Sequence, residues 1–526
     1  MEKGKEQMLI SGFSEESGVD SLPPRCYSYL QASCRVFVCV FRSPLRGRRD
    51  RRSGEIAKQE TGAAGEFGEI REDNQRRQSE KKPERRIRLR SLRTGQKRLW
   101  NSWGFPFCRI WTHVLITSIP LCQAVRRKIR RRKGKRENMI CSGKELWKEA
   151  LGLTERLRTI RRDLHRHPEL GFQEYRTTEK IREALSTVPG IRFLELQDCP
   201  TGVIAELPGE SGKTVALRAD IDALAISEAN THSYVSENPG VMHACGHDGH
   251  VAVLLGAAFL LGNQRTRPNT VRFLFQPAEE IVPSGAPVFL RAGALDGAEA
   301  VFGFHLNATS DFGKLGFYDG AVMAGGIAFR ITVHGKGGHS AYPEKCVNPI
   351  FAACDIVSSL ARIRDAIHPV YPCNIVPVRI VADEYDNKIP DTAVVEGRMK
   401  YLAHEAREIF CREIVPVVEG CALKNHAKCD LELIPKYPVS LNAPELGRNV
   451  VLPSAEELGL ETVRIEPSMG SDDFGYYAEK IPAYYMTFGI RKGADFPIAH
   501  TAHFDFDEEI LPLGAAQLCA CALNFR

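Results

Sequence analysis

Apolar positions along the chain change their rhythm near residue 139. Beyond it, Leu146, Ala150, Leu153, Leu157 and Ile160 recur at helical spacing and predict an amphipathic helix ahead of the turn HRHPELG. The runs TVALRADID, VRFLFQ and AVFGFH are short and continuously apolar, as strands buried on both faces are, and HVAVLLGAAFLL has the length of a buried helix. Strands alternating with helices predict an α/β domain with a mostly parallel sheet and its site at strand ends. From about Ala321 the style shifts. AFRITVHG alternates sides, and the helix PIFAACDIVSSLARI and the strand NIVPVRIV follow, which predicts a smaller α+β insertion. After Pro435 the first style returns, closing with a helix from about Leu511. The expected organisation is an extension over 1–138, a larger domain over 139–320 and 435–526, and an inserted domain over 321–434.

Residues 1–138 show no sustained period and are rich in Arg and Lys, as in RGRRDRRSGE and RRKIRRRKGKR. They hold 33 basic and 15 acidic side chains, a net of +18, whereas 139–526 hold 38 and 50, a net of −12. Such a segment buries too little surface to offset chain entropy, so disorder is expected. Arg-rich runs can neutralise phosphates, but neither aromatic interleaving nor a nucleic-acid motif accompanies these, so nucleic acid is not the expected partner. The favoured reading is a solvated extension without a role, or a stretch upstream of a working start at Met139. The 388-residue remainder is long enough for two domains. Sixteen scattered cysteines suit reduced thiols in a cytoplasmic protein better than a disulfide framework. The best candidate for a membrane span, Ile110 to Val125, has 16 residues against the roughly 20 required, so no membrane is expected.

The densest chemistry is MHACGHDGH, Met242 to His250, where crowded His, Cys and Asp signal a metal. Cys245 and His247 are two apart, so on an extended segment both would face one ion. Asp248 reads as a charge at a helix N-terminus and His250 as a residue that orients a ligand from behind. FQPAEE presents Glu279 and Glu280 together where a buried strand ends; one carboxylate can hold a metal while the other works as a base. His305 ends the run VFGFH, and His500 lies in PIAHTAHF. With Cys245, His247 and a glutamate they complete an N/S/O set sized for two borderline divalent ions. His503 reads as structural or orienting, His165 and His167 as turn and cap residues, and His339, after two glycines, as a structural turn residue. The segment SMGSDDF, which includes Ser471, suits substrate contact or helix capping.

Taken in order, HRHPELGFQE, LRADIDAL, MHACGHDGH, FQPAEE, FGFH, GKGGHSAYP, MGSDDF and HTAHFDFDEE resemble the metal-dependent N-acyl-amino-acid amidohydrolases, a branch with hippurate hydrolases, aminoacylases and plant indole-acetyl-amino-acid hydrolases. The resemblance runs from about Thr154 to Ala522. It implies a two-domain, di-metal α/β hydrolase with a mostly parallel mixed-sheet catalytic domain and an inserted α+β satellite domain through which the chain would form a homodimer. It further implies two divalent ions, zinc or manganese with cobalt as a third candidate, held by Cys245, His247, Glu280, His305 and His500. Glu279 matches the catalytic base, and His339 matches the satellite histidine that reaches the partner subunit's site and helps hold the oxyanion, which replaces the turn reading. Asp220 and Asp222 match the paired acids that orient the metal shell. The implied substrate is a small N-acyl amino acid. A dipeptidase or carboxypeptidase is the nearest alternative, and a nucleic-acid-binding protein acting through the extension a remote one. Ala225, Ser227, Ile281 to Gly285, Ile327 and Lys400 depart from the family's usual residues, on segments expected to contact substrate or act as a hinge.

Overall fold

The computed structural model describes residues 142–383 and 386–526; the basic extension and its expected disorder lie outside the described residues. The helix expected from Lys144 is in fact two, α1 (Gly143–Leu151) and α2 (Thr154–Arg166). Ser142 and Glu145 cap the start of α1 reciprocally, and Gly152 closes it, its N–H donating to Lys148 O. Leu146, Ala150 and Leu157 are all buried across the break, so the apolar rhythm continues where the backbone does not. Helix α3 (Tyr175–Ser186) follows, then β1 (Arg192–Leu194), β2 (Val203–Leu207), β3 (Thr214–Asp220), the helix α4 (His247–Asn263), β4 (Thr270–Gln276), α5 (Gly285–Arg291), β5 (Ala298–Asp311), β6 (Leu315–Phe317) and β7 (Gly320–Met323).

The inserted sheet comes next: β8 (Gly325–His334), β9 (Gly338–His339), α6 (Pro349–Ile367), β10 (Cys373–Ala382), β11 (Lys388–Ile389), β12 (Thr392–Tyr401), α7 (His404–Lys424) and β13 (Lys428–Pro435). The chain then returns through β14 (Ser440–Asn442), α8 (Leu452–Leu458), β15 (Thr462–Arg464), β16 (Ala483–Arg491) and α9 (Leu511–Asn524). The large sheet runs β1-β2-β4-β3-β5-β16-β6-β15, with β4, β3, β5 and β16 parallel at its centre and antiparallel pairs at β1/β2, β2/β4 and β16/β6. The smaller sheet, β10-β12-β8-β13, is antiparallel throughout.

Helix α4 is buried almost all round, from His247 to Leu261, which explains why its sequence lacks an apolar stripe and reads as one apolar run. It packs on α2 and α9, and Gly256 admits that approach: a Cβ there would lie 2.7 Å from Ala515 Cβ. Each fully buried Leu or Val of this helix contributes roughly 1.5–3 kcal/mol. The element that begins with His247 is therefore anchored along its whole length. In the smaller sheet, Phe329, Ile331 and Val333 of β8 pack with Ile356 and Leu360 of α6 and Phe410 and Ile414 of α7. Ile327 belongs to this core, 2% exposed, so its departure from the family alters packing and not a substrate contact. Ala225 and Ser227 are exposed on the connection after β3, as are Ile281 and Val282 after β4.

Candidate active site

Strands β3 and β4 lie side by side in register, with Asp220 opposite Gln276, so both deliver their next residues to one end of the sheet. After Gln276 the chain turns through Pro277 and Ala278, which has φ +53°, and presents Glu279 and Glu280. Glu174 Oε1 accepts the Ala278 N–H at 2.8 Å and so holds that left-handed turn. Gly285 completes it: a Cβ there would meet Pro277 O at 1.8 Å.

Cys245 and His247 do not share an extended segment. Gly246 between them takes φ +93°, and His247 is already the first residue of α4, so a left-handed turn brings the two side chains together. His305 enters from β5, and His500, itself at φ +64°, from the loop after β16. Cys245 Sγ is 3.3 Å from His305 Nε2 and 3.3 Å from His500 Nε2, and His500 Nε2 is 3.2 Å from Glu280 Oε1. His247 Nε2 lies 3.9 Å from Glu280 Oε1. Cys245, His247 and His305 form one set of donors close enough for a single ion, Cys245, Glu280 and His500 a second, and the two share Cys245. The buried atoms His247 Nε2 and Glu280 Oε1 have no hydrogen-bond partner. Burying polar atoms unpartnered is costly, and imidazole, thiolate and carboxylate together suit borderline divalent ions, so the donor set fits metal.

Asp222 works behind this set. Its two carboxylate oxygens accept the N–H groups of Glu279 (3.0 Å) and Glu280 (2.9 Å), and its carbonyl oxygen lies 2.9 Å from His247 Nδ1. One residue thereby fixes both glutamates and leaves the other nitrogen of His247 facing the donors. Asp220 Oδ1 meets His250 Nδ1 at 2.5 Å, and His250 Nε2 accepts the Leu306 N–H at 3.0 Å, next to His305. Against the cost of its burial, His247, His250 and Arg218 hold the Asp220 carboxyl well below the usual range. Burial and then Asp472 and Glu280 push the Glu279 carboxyl well above it, whereas His500, 3.2 Å away, and His247 help hold Glu280 down despite burial. Burial, with His250 beside it, lowers His305 to about 4, leaving a neutral imidazole.

Other expected residues sit elsewhere. Asp248 is an acid in the first turn of α4, where its Oδ1 accepts the Gly249 N–H, and it is buried, with Oδ2 2.8 Å from Arg161 Nε and 2.7 Å from His165 Nδ1. His165 is likewise buried in the last turn of α2, His167 caps that helix, and His503 is exposed. Ser471 Oγ accepts from Lys400 Nζ at 2.6 Å and donates to Ala324 O at 2.5 Å, between the two sheets. His339 ends the two-residue strand β9 and opens a turn, its carbonyl accepting the Tyr342 N–H at 2.9 Å; it is exposed, and its Nδ1 accepts the Ala341 N–H.

Several working residues escaped the sequence reading. Arg218 is wholly buried in β3 and spans Asp220 (2.7 Å), Asp473 (2.7 Å) and Gln276 (3.0 Å). Tyr437 donates to Glu279 O at 2.5 Å and Ile281 O at 2.9 Å, tying the end of the small sheet to the glutamate turn. The available signal was a charged residue inside an apolar strand, in LRADIDAL, with two acids in SMGSDDF to meet it.

Residues 216–524 match the model of the peptidase family M20/M25/M40. The chain is 39% identical over 371 residues to the N-acetylcysteine deacetylase of Bacillus subtilis, a match covering 70% of this chain and 96% of that one. It is 37% identical to thermostable carboxypeptidase 2 of Saccharolobus solfataricus, covering 70% and 94%. Among solved structures it resembles the Bacillus subtilis YXEP protein, described as a dinuclear metal binding peptidase, with a TM-score of 0.63 and 36% identity over 71% of this chain and 98% of that one.

Proposed function

Since the chain belongs to the peptidase family M20/M25/M40 and is a metal-dependent amidohydrolase, we propose that Glu279 is the base with which it cleaves the amide bond of N-acyl amino acids, releasing a carboxylate and a free amino acid. The observation that carries this assignment is the contrast between the two glutamates: both lie within reach of His247, but Glu280 alone also joins Cys245 and His500 in a donor set and is held down, whereas Glu279 is buried with its proton affinity raised. Two divalent ions would be held by Cys245, His247, Glu280, His305 and His500, with zinc, manganese or cobalt as candidate occupants and zinc the one a thiolate favours. When bound, the ions supply positive charge that lowers the pKa of water toward 7 and offsets charge on a substrate oxygen.

Glu279 takes the proton from the attacking water and passes it to the leaving nitrogen. The Asp222 clamp and the Tyr437 bond hold the Glu279 backbone on both sides while this happens. His339, exposed and outside the cluster in its own chain, is assigned to the oxyanion of a second copy's substrate. The homodimer this requires is supported by β10, an edge strand on which Val376, Val378 and Ile380 all face solvent. A cytoplasmic location is supported by free thiols among the described residues, Cys199, Cys354, Cys373 and Cys521 among them. Among the described residues no helix is long and apolar enough to cross a membrane.

The test is amino-acid release from acetyl, benzoyl and indole-acetyl conjugates, with free dipeptides alongside and a chelator control. Chelator-sensitive release from the conjugates is expected; release from dipeptides alone would favour the carboxypeptidase reading that the Saccharolobus relative supports. Glu279→Ala should abolish turnover with metal content near wild type, and loss of metal instead would make Glu279 a ligand.

A further inference from the structure

A second cluster stands one residue along α4 from His247, where Asp248 turns to the other histidine-rich group. We propose that His165, Glu228 and His232 form an additional single-ion site for a zinc-class divalent cation, separate from the catalytic set. His165 Nε2 is 3.1 Å from Glu228 Oε1, and His232 Nε2 is 3.2 Å from the same oxygen. Donors bonded at roughly 2.0–2.1 Å around a tetrahedral ion stand about 3.3 Å apart, so these spacings match the edges of such a site. His165 Nδ1 is engaged by Asp248 Oδ2 at 2.7 Å, the carboxylate–histidine arrangement that leaves Nε2 for a metal. The other oxygen of Glu228 accepts the Ser236 N–H at 2.7 Å, and Asn230 Nδ2 donates to Oε1 at 3.0 Å, which fixes the carboxylate.

Two observations point to a missing cation. Neither ring nitrogen of His232 has a hydrogen-bond partner, although both are shielded from solvent and the ring is stacked on Tyr234 at 3.7 Å. Charge is also unbalanced. Arg161, the buried cation of this region, is matched by Asp248, Asp505 and Glu508, while the ion pairs of Glu228 run only to the two imidazoles. The way in is open at His232, whose side chain is 19% exposed, and Asp505 Oδ2, 3.8 Å from His232 Nε2, lies at the same rim. An ion here would join α2 to the long connection that ends in Cys245, so its role would be to brace that connection and not to act on substrate.

The competing occupant is a proton on His165, shared between Asp248 and Glu228, and zinc counting separates the two. The full chain is dialysed against zinc, desalted and analysed by mass spectrometry of the elements. His232→Ala should hold one zinc ion per chain fewer than wild type while its turnover of N-acyl amino acids persists. Glu228→Gln, which keeps the shape of the carboxylate, serves the same purpose should the first variant fold poorly. Equal zinc content in wild type and a folded variant would overturn the site. The readout is a difference in stoichiometry, so it stands or falls independently of which substrate the enzyme prefers.

Discussion

At the scale of single residues, the site is built by groups that leave another group nothing else to do. Asp222 spends both oxygens on consecutive N–H groups, which is why Glu279 and Glu280 cannot rotate as a pair. His243 shows the opposite case, wholly buried with both ring nitrogens unpartnered, and burial lowers it to about 3. The unfolded chain takes up a proton at this histidine near pH 6.5 while the folded one does not, so its contribution to stability is present above that pH and lost as pH falls toward 3. The slope is about 1.4 kcal/mol per pH unit. Urea midpoints at pH 7 and pH 5 should therefore converge in His243→Leu relative to wild type; parallel shifts would remove the assignment. Residue types were the most legible part of the sequence. Cys245, His247, Glu280, His305 and His500 are chemically conspicuous wherever they fall. Arg218 was not, because its partners Asp472 and Asp473 are more than 250 residues away and nothing local marks them as its counterions.

At the scale of elements, apolar runs located the strands and α4 well, because a segment buried on all sides has few alternatives. Boundaries were harder. The break at Gly152 was hidden by a rhythm that continues across it, and the left-handed turn at Gly246 was hidden by a two-residue spacing that also suits an extended segment. That turn is testable. A Cβ at Gly246 meets nothing closer than 3.5 Å, so Gly246→Ala strains only the backbone, by roughly 1–2 kcal/mol. Thermal unfolding should move down accordingly, and zinc affinity should fall with it as Cys245 and His247 lose their common aim. Unchanged affinity would show that the turn does not set the ligand geometry.

At the scale of the whole molecule, the two sheets meet at the turn that carries Glu279 and Glu280. Tyr437 bonds two carbonyls of that turn, and Lys400 and Ser471 link β12 to the segment before Asp472. Tyr437→Phe removes the single proton shared between these carbonyls, worth about 1 kcal/mol, and should lower kcat by roughly fivefold with zinc content unchanged. An unaltered kcat would mean the turn holds itself. No sequence pattern announces this junction, since it depends on how an inserted sheet returns to its host. The exposure of the metal donors is just as lopsided. His247 is 1% exposed at the root of a helix buried almost all round, whereas His500 is 52% exposed on a loop. Ions held by the proposed donors should therefore exchange past the loop and not past the helix, at a speed set by whatever occupies the mouth beside His500. A bound product should thus slow stripping by a chelator even where it touches no donor.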